Sequence, residues 1–377
     1  MIRKIFEKFK NIRFPPEKAD VLIFDAMNAY LFEKYVLFNI NYSVLDTRSG
    51  YFYISPKMIL RILTTINLKE ILRTRTLKGN LAKPYYLALF NCINPKVAIT
   101  FIDNSPFFDR MSDLIDSVYF YAVQNGTRVI NEFTDYEKTG LTSVQNFLCF
   151  GQNEIDIYRK SGSQIKNFHP VGSLKGSIYQ YYLNQKLNTK KYGLCLVSQY
   201  RSSIIESDEY PEIKIGIEIL NEYLSRFIKE MGLKACIATA SESQNEFKYF
   251  HRFFGNQVDY YPFNREKFST YEAMDCSDVI ISFYSTAALE AVGWGKKVFL
   301  CNYSMKPEYS FTFSDVCTTD VIEYDVFKKK LIELINLSSE EYNDLTRSKQ
   351  KYVMNYNPDY PVNLYLRELI LDHIDEK

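Results

Sequence analysis

Short apolar runs alternate with helix-like stretches along the first half of the chain. Four runs have the length and apolar character of buried parallel strands: residues 20–25, 96–103, 119–123 and 146–151. After the first run, Ser55-Pro56 precedes apolar positions at helical spacing, and a serine followed by proline is a typical helix start. Strands separated by helices predict an α/β domain with a mainly parallel sheet.

A second alternation of the same kind starts near residue 193, after a stretch rich in Lys, Asn and Gln at residues 180–191 that we interpret as a linker. Its predicted strands are residues 193–198, 234–239, 257–262 and 279–281, and helices follow them. Three more predicted helices form a C-terminal tail at residues 325–335, 339–354 and 363–375. The chain is therefore predicted to form two Rossmann-like domains, residues 1–180 and residues 181–377. Two such domains in series place a ligand-binding cleft between the carboxyl ends of their sheets.

Residues 275–301 form the most informative βαβ unit of this pattern. Ser282 ends an apolar strand, Ser285-Thr286 stands where a helix begins, and the helix continues through Glu290. A helix N-terminus presents unpaired N–H groups and the positive end of the helix dipole, so it suits a phosphate. The alternative is that Ser285 or Thr286 simply caps the helix. The stretch alone does not decide between the two.

Composition limits the function classes. With 46% hydrophobic and 24% charged residues, the chain is expected to be a packed globular protein. A net charge of +1 argues against a general nucleic-acid binder. Seven cysteines without a C-x-x-C pair, several within apolar runs, predict reduced, buried thiols in a cytoplasmic protein. Three histidines argue against a histidine-rich metal site.

Residues 1–14 combine apolar positions at helical spacing with five Lys or Arg. A short basic amphipathic helix of this kind can lie on the anionic inner face of the cytoplasmic membrane. The alternative is an N-terminal helix that packs on its own domain. No apolar run reaches the roughly 18 residues that a membrane span requires.

Polar residues follow the predicted strand ends, where the fold would direct them into the cleft. They are Asp103, Asn104, Asn125 and Arg128 in the first domain, and Ser198, Gln199, Arg201 and Ser241 in the second. Gln124-Asn125-Gly126 predicts a tight turn with positive φ that would hold the Arg128 guanidinium where it can bind a carboxylate or phosphate. His169 stands at the predicted domain junction and is a weaker candidate. Each residue taken alone could also belong to an ordinary polar loop.

Several of these segments resemble a known family of enzymes. Ile102-Asp103-Asn104, residues 123–128, Phe150-Gly151, residues 170–173, Val197-Ser198-Gln199 and the 275–301 unit resemble bacterial surface-carbohydrate biosynthesis glycosyltransferases of the GT-B type. The chain is most similar in this respect to the retaining β-Kdo transferases of O-antigen and capsule assembly. The resemblance extends from about residue 20 to about residue 301.

The resemblance implies a donor and an acceptor. The donor would be a CMP-activated 3-deoxy-ulosonic acid, held by the second domain, with no metal or other cofactor, since no D-x-D motif is present. Ser282, Ser285 and Thr286 would take the CMP phosphate, and Glu290 belongs to the same donor site. The acceptor would be an oligosaccharide or a lipid-linked glycan on the side of the first domain, near Asn104, Asn125, Arg128 and His169.

Group transfer from an activated sugar needs a well-placed carboxylate, as a base or as a nucleophile. Asp208, on the loop after the Ser198-Gln199 strand, is the first candidate, and Asp103 and Glu132 follow. Two other functions remain open: a UDP-sugar or polyol-phosphate transferase on the same fold, and a non-catalytic scaffold that binds glycans. The absence of G-x-G-x-x-G and of G-x-x-x-x-G-K-[ST] argues against dinucleotide and P-loop chemistry.

Overall fold

A computed structural model describes residues 11–65, 77–128, 143–183, 190–207, 209–311, 313 and 315–375. Its strands in chain order are β1 Ile12–Arg13, β2 Val21–Phe24, β3 Tyr42–Leu45, β4 Phe52–Tyr53, β5 Val97–Thr100, β6 Tyr119–Val123, β7 Asn146–Cys149, β8 Asn167–Pro170, β9 Tyr192–Val197, β10 Ala235–Ala238, β11 Val258–Tyr261, β12 Ser277–Ser282, β13 Lys297–Cys301 and β14 Thr318–Thr319.

The helices of the first domain are α1 Ala29–Tyr35, α2 Pro56–Thr65, α3 Leu77–Ile93, α4 Pro106–Leu114, α5 Gln152–Lys160 and α6 Leu174–Ile178, which continues into a short π-helix at Tyr179–Leu183. Those that follow are α7 Ser202–Ile205, α8 Pro211–Met231, α9 Gln244–Phe254, α10 Ser269–Asp275, α11 Thr286–Gly293, α12 Tyr324–Asn336, α13 Ser339–Val353 and α14 Val362–Asp375.

The first domain is built on a six-stranded sheet with the order β3-β2-β5-β6-β7-β8, in which every neighbouring pair is parallel. Val21 and Ile23 pack into one apolar cluster and Leu22 and Phe24 into another, so both faces of this sheet are covered. A strand buried on both faces is apolar at consecutive positions, which explains the unbroken apolar run at residues 20–25.

The second domain repeats this architecture with the order β11-β10-β9-β12-β13-β14, again parallel throughout. The predicted α/β fold with two parallel sheets and a helical C-terminal tail is therefore confirmed. The prediction of buried thiols on strands is also confirmed, because Cys149, Cys195, Cys236 and Cys301 are buried and form no disulfide.

One helix of the first domain has a start signal that can be read from the sequence. α4 starts at Pro106, and the Ser105 hydroxyl caps it by accepting a hydrogen bond from the Phe108 N–H at 3.4 Å. Ser105-Pro106 is the same start signal as Ser55-Pro56. The position of the helix was therefore readable from the sequence.

The C-terminal tail returns to the first domain. On α14, Asn363 donates to the carbonyl of Tyr35 at 3.1 Å and Arg367 donates to that of Val36 at 2.7 Å. The backbone ahead of α14 passes so close to Gly151 and Gly172 that a Cβ on either would collide with a carbonyl oxygen, of Tyr352 or of Asn355. These two glycines therefore serve the packing of the tail.

In the part of the chain that the structure describes, no helix is both long enough and apolar enough to cross a bilayer. The N-terminal residues 1–10, which hold most of the predicted amphipathic helix, lie outside the described residues.

Candidate functional site

A cleft of about 820 Å³ separates the carboxyl ends of the two sheets. The loop after β6 forms its first-domain wall, with Asn125, Gly126, Thr127 and Arg128. The second-domain wall comes from the loops after β9, β10 and β12 and from the start of α8. It includes Ser198, Gln199, Tyr200, Arg201, Tyr210, Ala240, Tyr284, Ser285 and Thr286. The cleft thus lies where two facing Rossmann-like sheets were expected to place it.

The start of α11 reaches this cleft, but Ser282 does not. Ser282 is fully buried, and its hydroxyl donates to the carbonyl of Val197 at 3.3 Å, so the structure disfavours the expectation that it binds the donor. Ser285 occupies the N-cap position, yet its side chain accepts no hydrogen bond from the first turn of the helix. The capping alternative therefore does not account for Ser285, and the helix start keeps its capacity to bind an anion.

Thr286 faces the gap between the two domains. Its Oγ1 accepts a hydrogen bond from the backbone N–H of Thr127 at 3.1 Å, and it is only partly buried. The helix start and the first-domain loop are thereby held against each other across the cleft. A hydroxyl that accepts one bond in this way still has its own proton to donate.

Arg128 lines the cleft, but its guanidinium turns toward the interior of the first domain. Nη2 donates to Asp103 Oδ1 at 2.5 Å and to Asn125 Oδ1 at 3.2 Å, and the side chain is 10% exposed. The predicted tight turn with positive φ is not present, because neither Asn125 nor Gly126 has a positive φ. The loop is shaped by side chains instead, since Asn125 Nδ2 donates to the carbonyl of Phe101 at 2.8 Å.

Asp103 is almost completely buried, at 1% exposure, behind Arg128. Burial raises the pKa of its carboxyl, and the neighbouring Arg128 guanidinium acts in the opposite direction. A carboxylate in this position orients Arg128 and presents no surface to a ligand, so the structure disfavours the predicted catalytic role. Asn104, next to it, is exposed and is not part of the described cleft wall.

Two more buried carboxyl groups lie near this pair. Burial raises the pKa of Glu154 to about 7, although its Oε2 accepts a hydrogen bond from Gln124 Nε2 at 2.7 Å. Burial also raises the pKa of Asp109, to about 8. Burial outweighs the Gln124 hydrogen bond and the Arg128 guanidinium, which both lower the pKa of Glu154, so its neutral form is favoured at slightly acidic pH. Behind the first-domain wall of the cleft there is therefore a cluster of buried, partly protonated carboxyl groups.

Glu246 organises the second wall, and we did not predict it. This carboxylate is fully buried and accepts four hydrogen bonds: from Ser198 Oγ at 2.6 Å, Ala240 N at 2.8 Å, Ser241 N at 2.8 Å and Ser241 Oγ at 2.6 Å. It thereby joins the loops after β9 and β10. The predicted Ser198 lines the cleft with its hydroxyl engaged, and Ser241 is bound to Glu246 behind the wall.

The Ser198 loop leads to Gln199 and Arg201, both of which line the cleft. Arg201 stands ahead of α7 and is exposed, so its guanidinium is accessible from solvent. Among the described residues of the cleft wall there are two arginines and no carboxylate. Asp103 neutralises Arg128 from behind, so the exposed Arg201 is what makes the described wall favourable to an anionic ligand.

The predicted carboxylates are not on that wall. Asp208 and Glu132 lie outside the described residues, and their roles stay predictions. Glu290 is buried, with Oε1 accepting from Ser173 Oγ and Oε2 from Tyr271 Oη at 2.6 Å. Burial raises its pKa, against the effect of these two bonds and of Lys175.

Glu290 lines a second cavity of about 230 Å³ that shares Asn125 and Thr286 with the main cleft. Lys175 and Arg265 also line it, so it contains two cations beside one buried carboxyl. The start of α11 thus separates two cavities. His169 belongs to neither of them: its Nδ1 is 2.8 Å from Tyr365 Oη on α14, which makes it part of the packing of the tail.

Residues 121–370 match a protein-family model described as "putative O-antigen biosynthesis protein". The chain belongs to this family. The matched region of the O-antigen biosynthesis family begins in β6 and contains both described walls of the cleft, with Arg128, Glu246 and Thr286. It does not include Asp103. No curated protein sequence matches the chain.

Solved structures of low sequence identity share the fold of this family member. The wall teichoic acid polymerase TagF with CDPG has a TM-score of 0.50 at 11% identity, covering 96% of this chain and 90% of that one. UDP-GlcNAc 2-epimerase from Neisseria meningitidis bound to UDP-GlcNAc has a TM-score of 0.53 at 13% identity, covering 95% and 99%. Sucrose-phosphate synthase from Thermosynechococcus elongatus has a TM-score of 0.50 at 11% identity, covering 93% and 98%. At these identities the likeness concerns the fold alone.

Proposed function

We propose that this member of the O-antigen biosynthesis family is a glycosyltransferase of bacterial surface-polysaccharide assembly. It would move a sugar, Kdo or a related ulosonic acid, from a CMP-activated donor to a glycan acceptor. The observation that carries the proposal is the start of α11: Ser285 leaves the first turn without a side-chain cap, and Thr286 faces a cleft whose described wall has the exposed Arg201 and no carboxylate. Such a place suits a phosphate.

The two cavities suggest how the donor would lie. Because Thr286 lines both, a phosphate at the helix start would direct the nucleoside to one side and the sugar to the other. The smaller cavity, with Glu290 and Tyr271 at its wall, is a suitable place for a ribose and base. The sugar would then face the main cleft, where Arg201 can approach the carboxylate of an ulosonic acid.

Asp208 remains our candidate for the catalytic carboxylate. It stands two residues before Tyr210, which lines the main cleft. Asp103 and Glu290 are both buried with their oxygens engaged, so neither is placed to attack a sugar or deprotonate an acceptor. In this proposal Asp208 acts as nucleophile or base, and the engaged Ser198 loop fixes the position of the chain that leads to it.

The acceptor would approach along the first-domain wall. Asn125, Thr127 and Arg128 form that wall, and an oligosaccharide or a lipid-linked glycan could bind there by hydrogen bonds. A protein acting on a lipid-linked acceptor would work at the inner face of the cytoplasmic membrane.

A second candidate function is transfer of a polyol phosphate. It has support in the fold of TagF, whose structure was determined with CDPG, and an anion-binding helix start would serve that donor equally well. Transfer from a UDP-sugar donor is a third candidate, and glycan binding by a non-catalytic scaffold is a fourth. The fold does not separate them, because transferases and epimerases both share it.

The test is thermal stabilisation by a panel of nucleotides: CMP, CDP, UDP and GDP. A ligand that binds only the native state raises the melting temperature by mass action. We expect CMP to give the largest shift. Replacing Ser285 and Thr286 together with Ala should abolish most of that shift, a larger effect than the fall in melting temperature expected when the Thr127 N–H loses its acceptor.

A matched control is Ser203→Ala, which alters an exposed hydroxyl of the same cleft away from the helix start. A larger shift with UDP would redirect the proposal to the UDP-sugar donor. No shift with any nucleotide would leave the scaffold as the better account. An unchanged CMP shift in the Ser285→Ala, Thr286→Ala variant would contradict the phosphate site.

A further inference from the structure

The first domain carries a cluster of exposed apolar side chains away from the cleft wall. We name it the apolar corner and define it by Ile12, Phe14, Phe52, Ile59, Leu60 and Leu63. The most exposed of them are Phe14 at 77% and Leu60 and Leu63 at 65% each. Single exposed apolar residues are ordinary on protein surfaces, but a cluster of large ones marks an interaction site.

The corner is built on α2, which is apolar on two sides. Met58 is fully buried and Ile62 packs against the core of the first domain, so one side of the helix fulfils the usual packing role. Ile59, Leu60 and Leu63 point away from that core and are exposed. Positions 59, 60 and 63 form one helical face. A helix that contacted only water on this side would be expected to be polar there.

The remaining members of the corner adjoin α2. Ile12 and Phe52 are register partners in the parallel pair of β1 and β4, and β4 ends three residues before α2 begins. The Phe52 ring stacks on Tyr85 of α3 with centroids 4.9 Å apart, and α3 packs along α2. Five residues of the apolar corner therefore come from three neighbouring elements, and Phe14 directly follows β1.

The described residues of this part of the chain have a modest excess of positive charge. Residues 11–65 and 77–83 contain eight Lys or Arg and five Asp or Glu, whereas the whole chain contains 46 and 45. Among the described residues at the corner itself, Lys57 and Arg61 lie one turn apart on α2, and Arg13 lies in β1. Apolar side chains flanked by cations are typical of helices that lie in the interface of an anionic bilayer.

We propose that the apolar corner docks on an anionic lipid surface. Its apolar side chains would enter the boundary between headgroups and acyl chains, and the exposed ammonium of Lys57 would contact the acidic headgroups. A second copy of the chain is a poorer partner, because a symmetric contact through this corner would bring cations against cations. The proposal goes beyond the transfer reaction and does not depend on the nucleotide site.

The test is co-sedimentation of the full chain with two kinds of vesicle, phosphatidylcholine alone and phosphatidylcholine mixed with phosphatidylglycerol. We expect binding to the mixed vesicles that weakens with added salt. Leu60→Ser combined with Leu63→Ser should weaken it about tenfold or more, through lost apolar burial. Lys57→Glu should weaken it about fivefold or more, through lost attraction to the headgroups.

Matched controls are available on the second domain. Ile215→Ser combined with Leu345→Ser alters two residues of similar exposure, 53% and 54%, and Lys229→Glu alters an exposed lysine; neither should change vesicle binding. The CMP shift should be unaffected in all four variants, which separates this proposal from the proposed function.

Four outcomes would overturn the proposal. The first is no binding to mixed vesicles, and the second is equal loss in the control variants. The third is a large fall in the melting temperature of the Leu60→Ser, Leu63→Ser variant without vesicles, which would show that the protein itself covers the corner. A monomer–dimer equilibrium abolished by the same variant, with vesicle binding retained, would equally count against it.

Discussion

Asp103 holds Arg128 at the first wall of the cleft, with Oδ1 and Nη2 2.5 Å apart and both side chains almost entirely withdrawn from solvent. The pair joins the loop after β5 to the loop after β6. A buried ion pair of this kind adds little net stability compared with apolar residues, but removing one partner leaves the other charge buried alone. Its main effect is therefore on the position of Arg128.

We expect Asp103→Asn to destabilise the protein by about 1–3 kcal/mol, because Arg128 loses its counter-ion. Urea unfolding measures this directly. Asp116→Asn, which alters an exposed carboxylate close to the end of α4, serves as the control and should change little. A variant that unfolds like the wild type but has no transferase activity would instead favour a catalytic role for Asp103.

Glu246 gives a second prediction, because its carboxylate accepts four hydrogen bonds from two loops of the cleft. Glu246→Ala should lower stability by about 2–4 kcal/mol, since buried donors lose their acceptor. Amide hydrogen exchange should accelerate at Tyr200, Ala240 and Ser241 before it does elsewhere. The neighbouring exposed residue offers the control Glu242→Ala. Unaltered exchange in these loops would show that they are fixed by other contacts.

The raised pKa of the buried Glu154 carboxyl is expected to make the stability of the protein depend on pH. Burial raises its pKa from the ordinary 4.5 to about 7 in the folded protein. Between these two values the folded state keeps the proton and the unfolded state has lost it, so the free energy of unfolding falls as pH rises. Above pH 7 both states are ionised, and the loss stays constant at about 3 kcal/mol or less.

Glu154→Gln should remove this contribution, since an amide still accepts from Gln124 and does not ionise. We expect the variant to gain stability relative to the wild type as pH rises from 4.5 to 7, measured by urea unfolding at a series of pH values. Asp109, which titrates in the same direction, is present in both proteins and cancels in the difference. A difference that does not vary with pH would contradict the buried, protonated state of Glu154.

Gly172 supplies the fourth prediction. Its φ is +95°, and a Cβ would collide with the carbonyl of Asn355 ahead of α14. Gly172→Ala should therefore destabilise by about 2–4 kcal/mol, from backbone strain and displacement of the tail together. Gly232→Ala isolates the first cause, because Gly232 has a φ of +62° and no neighbouring atom within 4 Å. An equal loss of stability in the two variants would show that the tail does not restrict the space around Gly172.

The parallel sheets could be predicted because their strands are buried on both faces and so appear as continuous apolar runs. The start of α11 could be found for a similar reason, since strand, hydroxyl residues and helix formers follow one another locally. Ser282 and Ser285 are chemically alike and three residues apart, however, and only the sheet pairing puts one inside and the other on the cleft.

The partners of Glu246 could not be predicted from the sequence, for a different reason. Ser243-x-x-Glu246 has the spacing of a capping box, which would predict a bond back to Ser243. The carboxylate instead contacts Ser198, nearly fifty positions earlier in the chain, and the loop at Ala240. Contacts of this kind depend on which strands lie side by side. The same applies to His169, whose partner Tyr365 becomes a neighbour only when the tail folds back.

The return of the tail has a mechanical consequence. The polypeptide passes between the domains once after α6 and again before α14, so two backbone segments connect them. Two attachment points define a pivot axis, about which the domains can rotate while sliding and twisting are restrained. Any opening that admits a donor is therefore expected to widen the gap at Thr127 and Thr286 most, with little displacement where Asn355 meets Gly172.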